Sequence, residues 1–93
     1  MERGNDRKRA AIDDPVLWRY IRPDGRLATM PRRSAHRAQL LAWLAERFEP
    51  ERDYGEAEVN RVLEAFHDDF ATLRRYLVDH GLLTRERERY RRA

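Results

Sequence analysis

The chain has 93 residues, of which 40% are charged and 41% apolar, and its formal net charge is +3. A chain of this length is expected to form one small domain with a thin core. Cysteine is absent, which excludes disulfides, thiolate chemistry and zinc sites with cysteine ligands. There is no apolar run of the roughly 18 residues that a membrane span needs, and no signal-peptide core at the N-terminus. These features predict a cytoplasmic globular protein that does not enter a membrane.

The positive charge is concentrated at the two ends of the sequence. Residues 1–11 carry four basic and two acidic side chains, and residues 85–93 carry five basic and two acidic ones. The segment between them is slightly acidic. Residues 1–12 also lack any periodic pattern, which is typical of a disordered basic arm. We therefore expect such an arm over residues 1–12, as a DNA contact or as a solvated tail, followed by a single domain over residues 13–93.

A β-hairpin is predicted for the first apolar segment, which begins at Val16. β-Branched and aromatic residues precede the sequence Pro23-Asp24-Gly25, and a shorter apolar segment follows it. Proline presets the backbone for a turn, and glycine accepts the positive φ that closes it. In an extended strand Trp18 and Tyr20 share one face. We expect these aromatic rings in the core or in an interface, rather than stacked on nucleobases.

A helix is predicted next, over residues 35–48, with Ser34 as its N-cap. Its apolar stripe is Leu40, Leu41, Leu44 and Phe48, with Trp43 nearer the boundary. Three arginines at its N-terminal end either clamp a phosphate or form a solvated cap region: Arg32, Arg33 and Arg37. A charged loop over residues 49–53 is expected to end this helix.

Residues 54–66 give the pattern of an amphipathic helix with a well-defined start. Gly55 is placed as N-cap, so that the Glu58 carboxylate can reach back to a free backbone N–H. Tyr54 and Val59 occupy the two positions of a hydrophobic staple. The apolar residues that follow have i, i+3, i+4, i+7 spacing, and they are Val59, Val62, Leu63 and Phe66.

A second helix is predicted over residues 69–80. Asp68 and Asp69 are strong capping residues at its start, and Gly81 can adopt the left-handed conformation that ends a helix. Phe70, Leu73 and Leu77 form its inward stripe. Its outward face carries Thr72, Arg75 and Asp79, with Arg74 at the margin. In a helix-turn-helix protein, this face of the second helix enters the DNA major groove.

Two short extended segments follow Gly81, around the polar tip Glu86-Arg87-Glu88. They predict a small hairpin, which corresponds to the wing of a winged helix. The expected fold is therefore α+β, a small winged helix-turn-helix-like domain. It has three helices, an N-terminal β-hairpin and a short C-terminal wing.

No catalytic, cofactor or metal site is recognisable in the sequence. His67, Asp68 and Asp69 are adjacent, but side chains at a helix start diverge and no second ligand pair has suitable spacing. Ser34 is the only serine, and we expect it to serve as a helix cap. The four glycines do not form a phosphate-binding loop. We therefore expect no enzyme activity, no cofactor and no metal.

Several motifs together resemble an uncharacterised bacterial family that is catalogued as a domain of unknown function. They are DGRL at 24–27, LAERF at 44–48, YGEAEVN at 54–60, FHDDFATLRRYLVDHGLLTR at 66–85, and Tyr90. The resemblance covers about residues 16–92. It implies a winged-helix-like domain that occurs alone or attached to ArsR-like and other helix-turn-helix regulators. Gly55 departs from the family, which usually has Ser or Thr there.

Two functions are compatible with these patterns. The first is a DNA-binding transcriptional regulator, with contacts from Thr72, Arg74, Arg75, Arg32, Arg33, Arg37, Arg85, Arg87, Arg89 and Arg91. Asp68, Asp69 and Asp79 oppose it, because they place negative charge near the expected phosphates. The alternative is an interaction, dimerisation or effector module that binds a protein partner or a second copy. A positive face joining the wing to Arg75 would favour DNA, and an exposed Trp18 and Trp43 patch would favour a partner.

Overall fold

The computed structural model describes residues 14–93, which form an α+β structure. The elements, in chain order, are α1 (Pro15–Trp18), α2 (Ser34–Ala45), β1 (Asp53–Gly55), α3 (Glu56–Glu64), α4 (Phe70–Asp79), β2 (Leu83–Glu86) and β3 (Arg89–Arg92). The chain divides into two compact units between Leu40 and Leu41, within α2. We call them the N-terminal and C-terminal units. The arm predicted over residues 1–12 lies outside the described residues.

The predicted N-terminal β-hairpin is wrong, and the described part of the chain has four helices instead of the expected three. Pro15–Trp18 form a short helix because Asp14 caps it: the Asp14 carboxylate accepts a hydrogen bond from the Val16 N–H at 2.9 Å. Proline is also well suited to the first helical position. Strand pairing between Val16 and Pro31 is reduced to one isolated bridge, between Ile21 and Leu27.

The turn predicted at Pro23-Asp24-Gly25 is present. Gly25 has φ of 87°, a conformation that glycine adopts without steric cost. The turn is closed by the Arg22 N–H, which donates to the Arg26 carbonyl at 2.7 Å. The prediction was therefore correct about where the chain reverses.

Helical spacing determines which side chains in α1 and just after it are buried. Leu17 and Ile21, four residues apart, are both 2% exposed, and the Ile21 N–H donates to the Leu17 carbonyl. Trp18 is 42% exposed. It is therefore not a core residue, as it could have been in the predicted strand. Tyr20 is half-buried, and its hydroxyl is 2.9 Å from Nδ1 of His36.

The second helix, α2, agrees with its prediction except at the ends. The Arg33 carbonyl accepts the hydrogen bond of the Arg37 N–H at 2.9 Å, so the helix begins at Ser34 and Arg33 holds the capping position. The helix ends at Ala45, three residues before the predicted end. The predicted apolar stripe is buried: Leu40, Leu41, Leu44 and Phe48.

The C-terminal unit contains an antiparallel sheet with strand order β1-β3-β2. The hairpin of β2 and β3 has its turn at Arg87 and Glu88, as predicted, and Arg87 has φ of 59°. Strand β1 was not predicted, since its residues belonged to the expected loop and helix cap. It pairs with β3 so that Tyr54 lies opposite Tyr90. The hairpin is thus extended to three strands, with β3 in the centre.

The predicted start of α3 and both predicted ends of α4 are confirmed to within a residue, whereas α3 ends at Glu64, two residues before Phe66. The Gly55 N–H donates to the Glu58 carboxylate at 3.1 Å. Asp69 caps α4 by accepting from the Thr72 N–H at 3.4 Å. Gly81 ends α4 with φ of 73°, and the Leu82 N–H returns to the Leu77 carbonyl at 2.8 Å, a Schellman closure.

The core of the C-terminal unit is formed by one face of the sheet and the apolar stripes of the helices. Strand alternation puts Tyr54, Leu83 and Tyr90 on the same face, and each is at most 5% exposed. The buried residues that α3 and α4 contribute are Val59, Leu63, Leu73 and Leu77. The opposite sides of α4 and of the sheet remain accessible.

Candidate nucleic-acid interface

An open groove of about 370 Å³ lies between α4 and the C-terminal hairpin. Four residues predicted to contact DNA line it: Thr72, Arg74 and Arg75 from α4, and Arg85 from β2. The rest of the lining is Ala71, Val78, Asp79 and Tyr90. The fold thus places the outward side of α4 and one arginine of the hairpin on a common surface, which we call the arginine groove.

Arg74 is held in the groove by a residue of the preceding helix. Its guanidinium Nη1 donates to the side-chain oxygen of Asn60 in α3. Asn60 is a mediocre helix former. Its partner is a side chain on α4, so this asparagine joins the two helices and orients an arginine.

Arg85 is held by a different set of contacts. Its guanidinium carbon lies 5.5 Å from the centre of the Tyr90 ring, within the range of a cation–π interaction. Its Nε donates to the backbone carbonyl of Arg87 at 2.9 Å. These contacts run along the hairpin and direct the side chain towards α4.

Tyr90 connects this hairpin to α3. Its hydroxyl donates to the Glu56 carboxylate at 3.1 Å, and the residue is 1% exposed. Burial raises the pKa of the Tyr90 hydroxyl above its ordinary value, and the hydrogen bond to Glu56 raises it further. The positive charges of Arg85 and Arg74 act in the opposite direction. Tyr90 and both of these arginines line the groove.

Arg75 is the most accessible arginine on α4, since Arg74 is half-buried and Arg75 is exposed. Thr72 is half-buried on the same side of the helix. Asp79 is the one acidic residue in the groove lining. Asp69 caps the helix at its N-terminal end, so the negative charge there has a structural use. The groove is consequently positive along α4, and Asp79 is its acidic residue towards the C-terminal end of the helix.

Two other predicted arginines lie on the opposite face of the sheet. Arg91 donates from Nε to the Asp53 carboxylate at 2.9 Å, and Arg89 is 3.7 Å from the same carboxylate. Strand alternation separates them from Arg85, because Arg85 lies opposite Tyr90 whereas Arg89 and Arg91 flank it. The hairpin arginines therefore do not share one face of the sheet, and the contribution of Arg89 and Arg91 to DNA binding stays a prediction. Arg87 is exposed at the tip of the hairpin.

The remaining predicted arginines are at the start of α2. Arg32 and Arg33 are exposed, and Arg37 is half-buried. The Arg37 guanidinium donates to the Pro31 carbonyl at 3.4 Å. These three belong to the N-terminal unit, and their contribution to DNA binding stays a prediction.

Two further arginines of the C-terminal unit are engaged in local contacts. Arg52 binds the carboxylates of Glu49 at 2.9 Å and Glu58 at 3.1 Å. The hydrogen bond with Glu49 is the largest cause of a raised pKa for the Arg52 guanidinium. Arg92 donates to the Phe48 carbonyl at 3.2 Å. Neither of these two arginines lines the groove.

The histidine-aspartate sequence at the start of α4 forms a local turn. The Asp69 N–H donates to Nδ1 of His67 at 2.9 Å, and Asp69 is the helix cap. Within residues 14–93, no three His, Cys, Asp or Glu side chains are grouped as metal ligands would be. In the same residues, no helix combines the length and apolar character needed to cross a membrane.

Sequence reasoning missed three residues that shape the groove: Asn60, Glu56 and Tyr90. Asn60 could have been found from its unusual place inside a helix. Glu56 and Tyr90 are more than thirty residues apart in the sequence, and no local pattern indicates that they meet.

Comparison with known proteins identifies a family but no individual relative. The family described as "Uncharacterized protein conserved in bacteria (DUF2087)" matches residues 26–92. No curated protein matches the chain, and no solved structure matches it. The matched region includes every residue of the arginine groove, as well as Asn60 and Glu56. The chain therefore belongs to this conserved bacterial family.

Proposed function

We propose that the protein is a DNA-binding transcriptional regulator of the winged-helix type. In this proposal α4 is the recognition helix and the β2–β3 hairpin is the wing. The observation that carries it is the arginine groove, because Thr72, Arg74, Arg75 and Arg85 line one accessible surface. A recognition helix beside a wing presents base-reading and phosphate-binding groups together. Acting on bacterial DNA would require the protein to be in the cytoplasm.

The residues of the groove have different roles in this proposal. Arg75 is exposed on α4 and faces base edges, where arginine pairs with guanine through two hydrogen bonds. Arg85 lies on the hairpin and contacts the phosphate backbone. Asp79 restricts which bases can approach, since a carboxylate accepts hydrogen bonds from cytosine and repels phosphate.

Titration with random-sequence duplex DNA at two salt concentrations tests this proposal. We expect binding that weakens steeply with salt, because each phosphate contact releases counterions. Arg75→Ala should cost about 1–3 kcal/mol on a specific site, and Arg85→Ala should lower the salt slope by about one. Arg89→Ala is the matched control, since it removes the same charge from the opposite face of the same hairpin.

A folded protein that does not bind duplex DNA even at low salt would overturn the proposal. Equal losses in Arg85→Ala and Arg89→Ala would also contradict it, because a general charge effect would then explain the binding.

The alternative is an interaction or dimerisation module with the same frame and no DNA binding. It is favoured by Trp18, the one large hydrophobic side chain within residues 14–93 that is exposed. Trp43, by contrast, packs edge-to-face on Phe66 at 5.4 Å and is covered by Arg47. Trp18→Ser should reduce self-association or partner binding under this alternative, and leave DNA binding unchanged under the first proposal.

A further inference from the structure

We infer that the arginine groove contains a phosphate-binding site in which Arg74 and Arg85 hold one phosphate group, with Asn60 and Tyr90 as positioning residues. The expected source is a phosphodiester of duplex DNA, and to that extent the inference rests on the proposed function. Pyrophosphate carries the same chemistry without a base or a duplex. The site can therefore be tested separately from DNA recognition.

The first support is that both guanidinium groups are oriented by the protein. Arg74 is bound to Asn60 on one helix, and Arg85 is stacked on the Tyr90 ring and bound to the Arg87 carbonyl. Long arginine side chains lose rotamer entropy when they bind a ligand. Groups already held in place lose less, which favours binding of a small anion.

The second support is the number of donors that remain. A guanidinium has five N–H groups arranged as a planar fork. The hydrogen bonds to Asn60 and to the Arg87 carbonyl use one N–H of Arg74 and one N–H of Arg85. The remaining N–H groups of each guanidinium can form the paired N–H···O contacts that arginine makes with phosphate oxygens.

The third support is the electrostatic contrast between the two faces of the hairpin. On the face of the sheet opposite the groove, which we call the outer face, Asp53 is paired with both Arg89 and Arg91. In the groove three arginines meet a single carboxylate in the lining, that of Asp79. Arg74 and Arg85 line the same groove beside Tyr90. Their positive charges lower the pKa of the Tyr90 hydroxyl, whereas the Glu56 carboxylate raises it. An anion in the groove would be attracted by both arginines.

The test compares pyrophosphate and a short duplex DNA as probes, using isothermal titration calorimetry on the full chain. Arg74→Gln and Arg85→Gln should each weaken pyrophosphate binding about tenfold, the size of one lost charge-assisted contact. Arg89→Gln, with the same change of charge on the outer face, should leave it unchanged. Thermal melting of each variant identifies any that no longer folds.

The positioning role of Asn60 needs its own readout. Asn60→Ala should weaken pyrophosphate binding, and the double variant with Arg74→Gln should bind no worse than Arg74→Gln alone. Such non-additivity is expected when one residue acts through another. Tyr90→Phe should retain binding, because the ring on which Arg85 stacks is preserved. Fully additive losses would overturn the positioning role.

The two probes separate the failure of this inference from that of the proposed function. Pyrophosphate binding that depends on Arg74 and Arg85, without any DNA binding, would support the site and refute the regulator. DNA binding that is unaffected by Arg74→Gln and Arg85→Gln would overturn the site and leave the regulator intact. If neither probe binds to the folded protein, both are refuted.

Discussion

The arginines of the C-terminal hairpin have similar sequence contexts but different partners in the folded protein. Arg85, Arg89 and Arg91 are alike in sequence, each followed or preceded by charged residues. Asp53 pairs with Arg89 and Arg91, while Arg85 stacks on Tyr90. An exposed salt bridge stabilises a protein by about 1 kcal/mol at most. The main consequence of Asp53 is therefore that it offsets part of the positive charge on one face of the sheet and not on the other.

Ionisation of Tyr90 should lower the free energy of unfolding at alkaline pH. Its pKa is raised in the folded protein, mainly by burial, whereas in the unfolded chain tyrosine ionises near its ordinary value of about 10. Above that pH the folded state binds more protons than the unfolded state, so stability falls as pH rises. Urea unfolding between about pH 8 and pH 11 should show this decline.

Tyr90→Phe is the matched variant for that measurement. It should cost about 1 kcal/mol near neutral pH, through loss of the hydrogen bond to Glu56. It should also remove most of the alkaline decline. An unchanged decline in the variant would show that other groups are responsible.

At the scale of elements, the start of α3 and both ends of α4 were easier to predict than the first segment. Asp69, Gly81 and the Glu58 contact to Gly55 act over three or four residues, so their spacing is visible in the sequence. The same chemistry operates at Asp14 and Pro15, where a cap precedes a helix. The aromatic and β-branched residues after Pro15 favoured a strand. The local cap determined the outcome for these few residues.

Two substitutions of Asp69 separate its effect on stability from its effect on DNA affinity. Asp69→Ala should lower the free energy of unfolding by about 1 kcal/mol, because the Thr72 N–H loses its cap. Asp69→Asn should retain stability, since asparagine caps equally well. If α4 approaches phosphates, Asp69→Asn should also bind DNA more tightly. Weaker or unchanged binding by the stable Asp69→Asn protein would count against α4 as the recognition helix.

At the scale of the molecule, the C-terminal hairpin is part of the folded sheet and not a separate appendage. β3 pairs with β1 on one side and β2 on the other. Tyr90, in the middle of β3, is 1% exposed. The residues that would form a wing on DNA thus also close the core of the C-terminal unit.

A chain that ends at Thr84 should therefore fail to fold. It lacks β3, and the loss of a buried aromatic residue such as Tyr90 alone costs about 3–5 kcal/mol. The whole stability of a small domain is only about 5–15 kcal/mol. Circular dichroism should show no cooperative thermal transition for the shortened chain. Removing charge alone, with Arg89→Ala, should leave that transition in place. A cooperative transition in the shortened chain would contradict the central role of β3.

The sequence by itself determined the features that depend on neighbours a few residues away. These are the positions of α2, α3 and α4, the caps at Gly55 and Asp69, the closure at Gly81 and the turn of the C-terminal hairpin. The α+β class followed from them. Helical periodicity and capping act within one or two turns of chain, so no tertiary information was needed.

Only the tertiary structure decided which distant residues meet. The pairing of β1 with β3, the contact of Glu56 with Tyr90 and that of Asn60 with Arg74 join segments whose spacing has no local signature. These contacts select Arg74 and Arg85 for the groove and place Arg89 and Arg91 outside it. The candidate site depends on them because the charge of an arginine is usable only where the fold leaves it without a carboxylate partner.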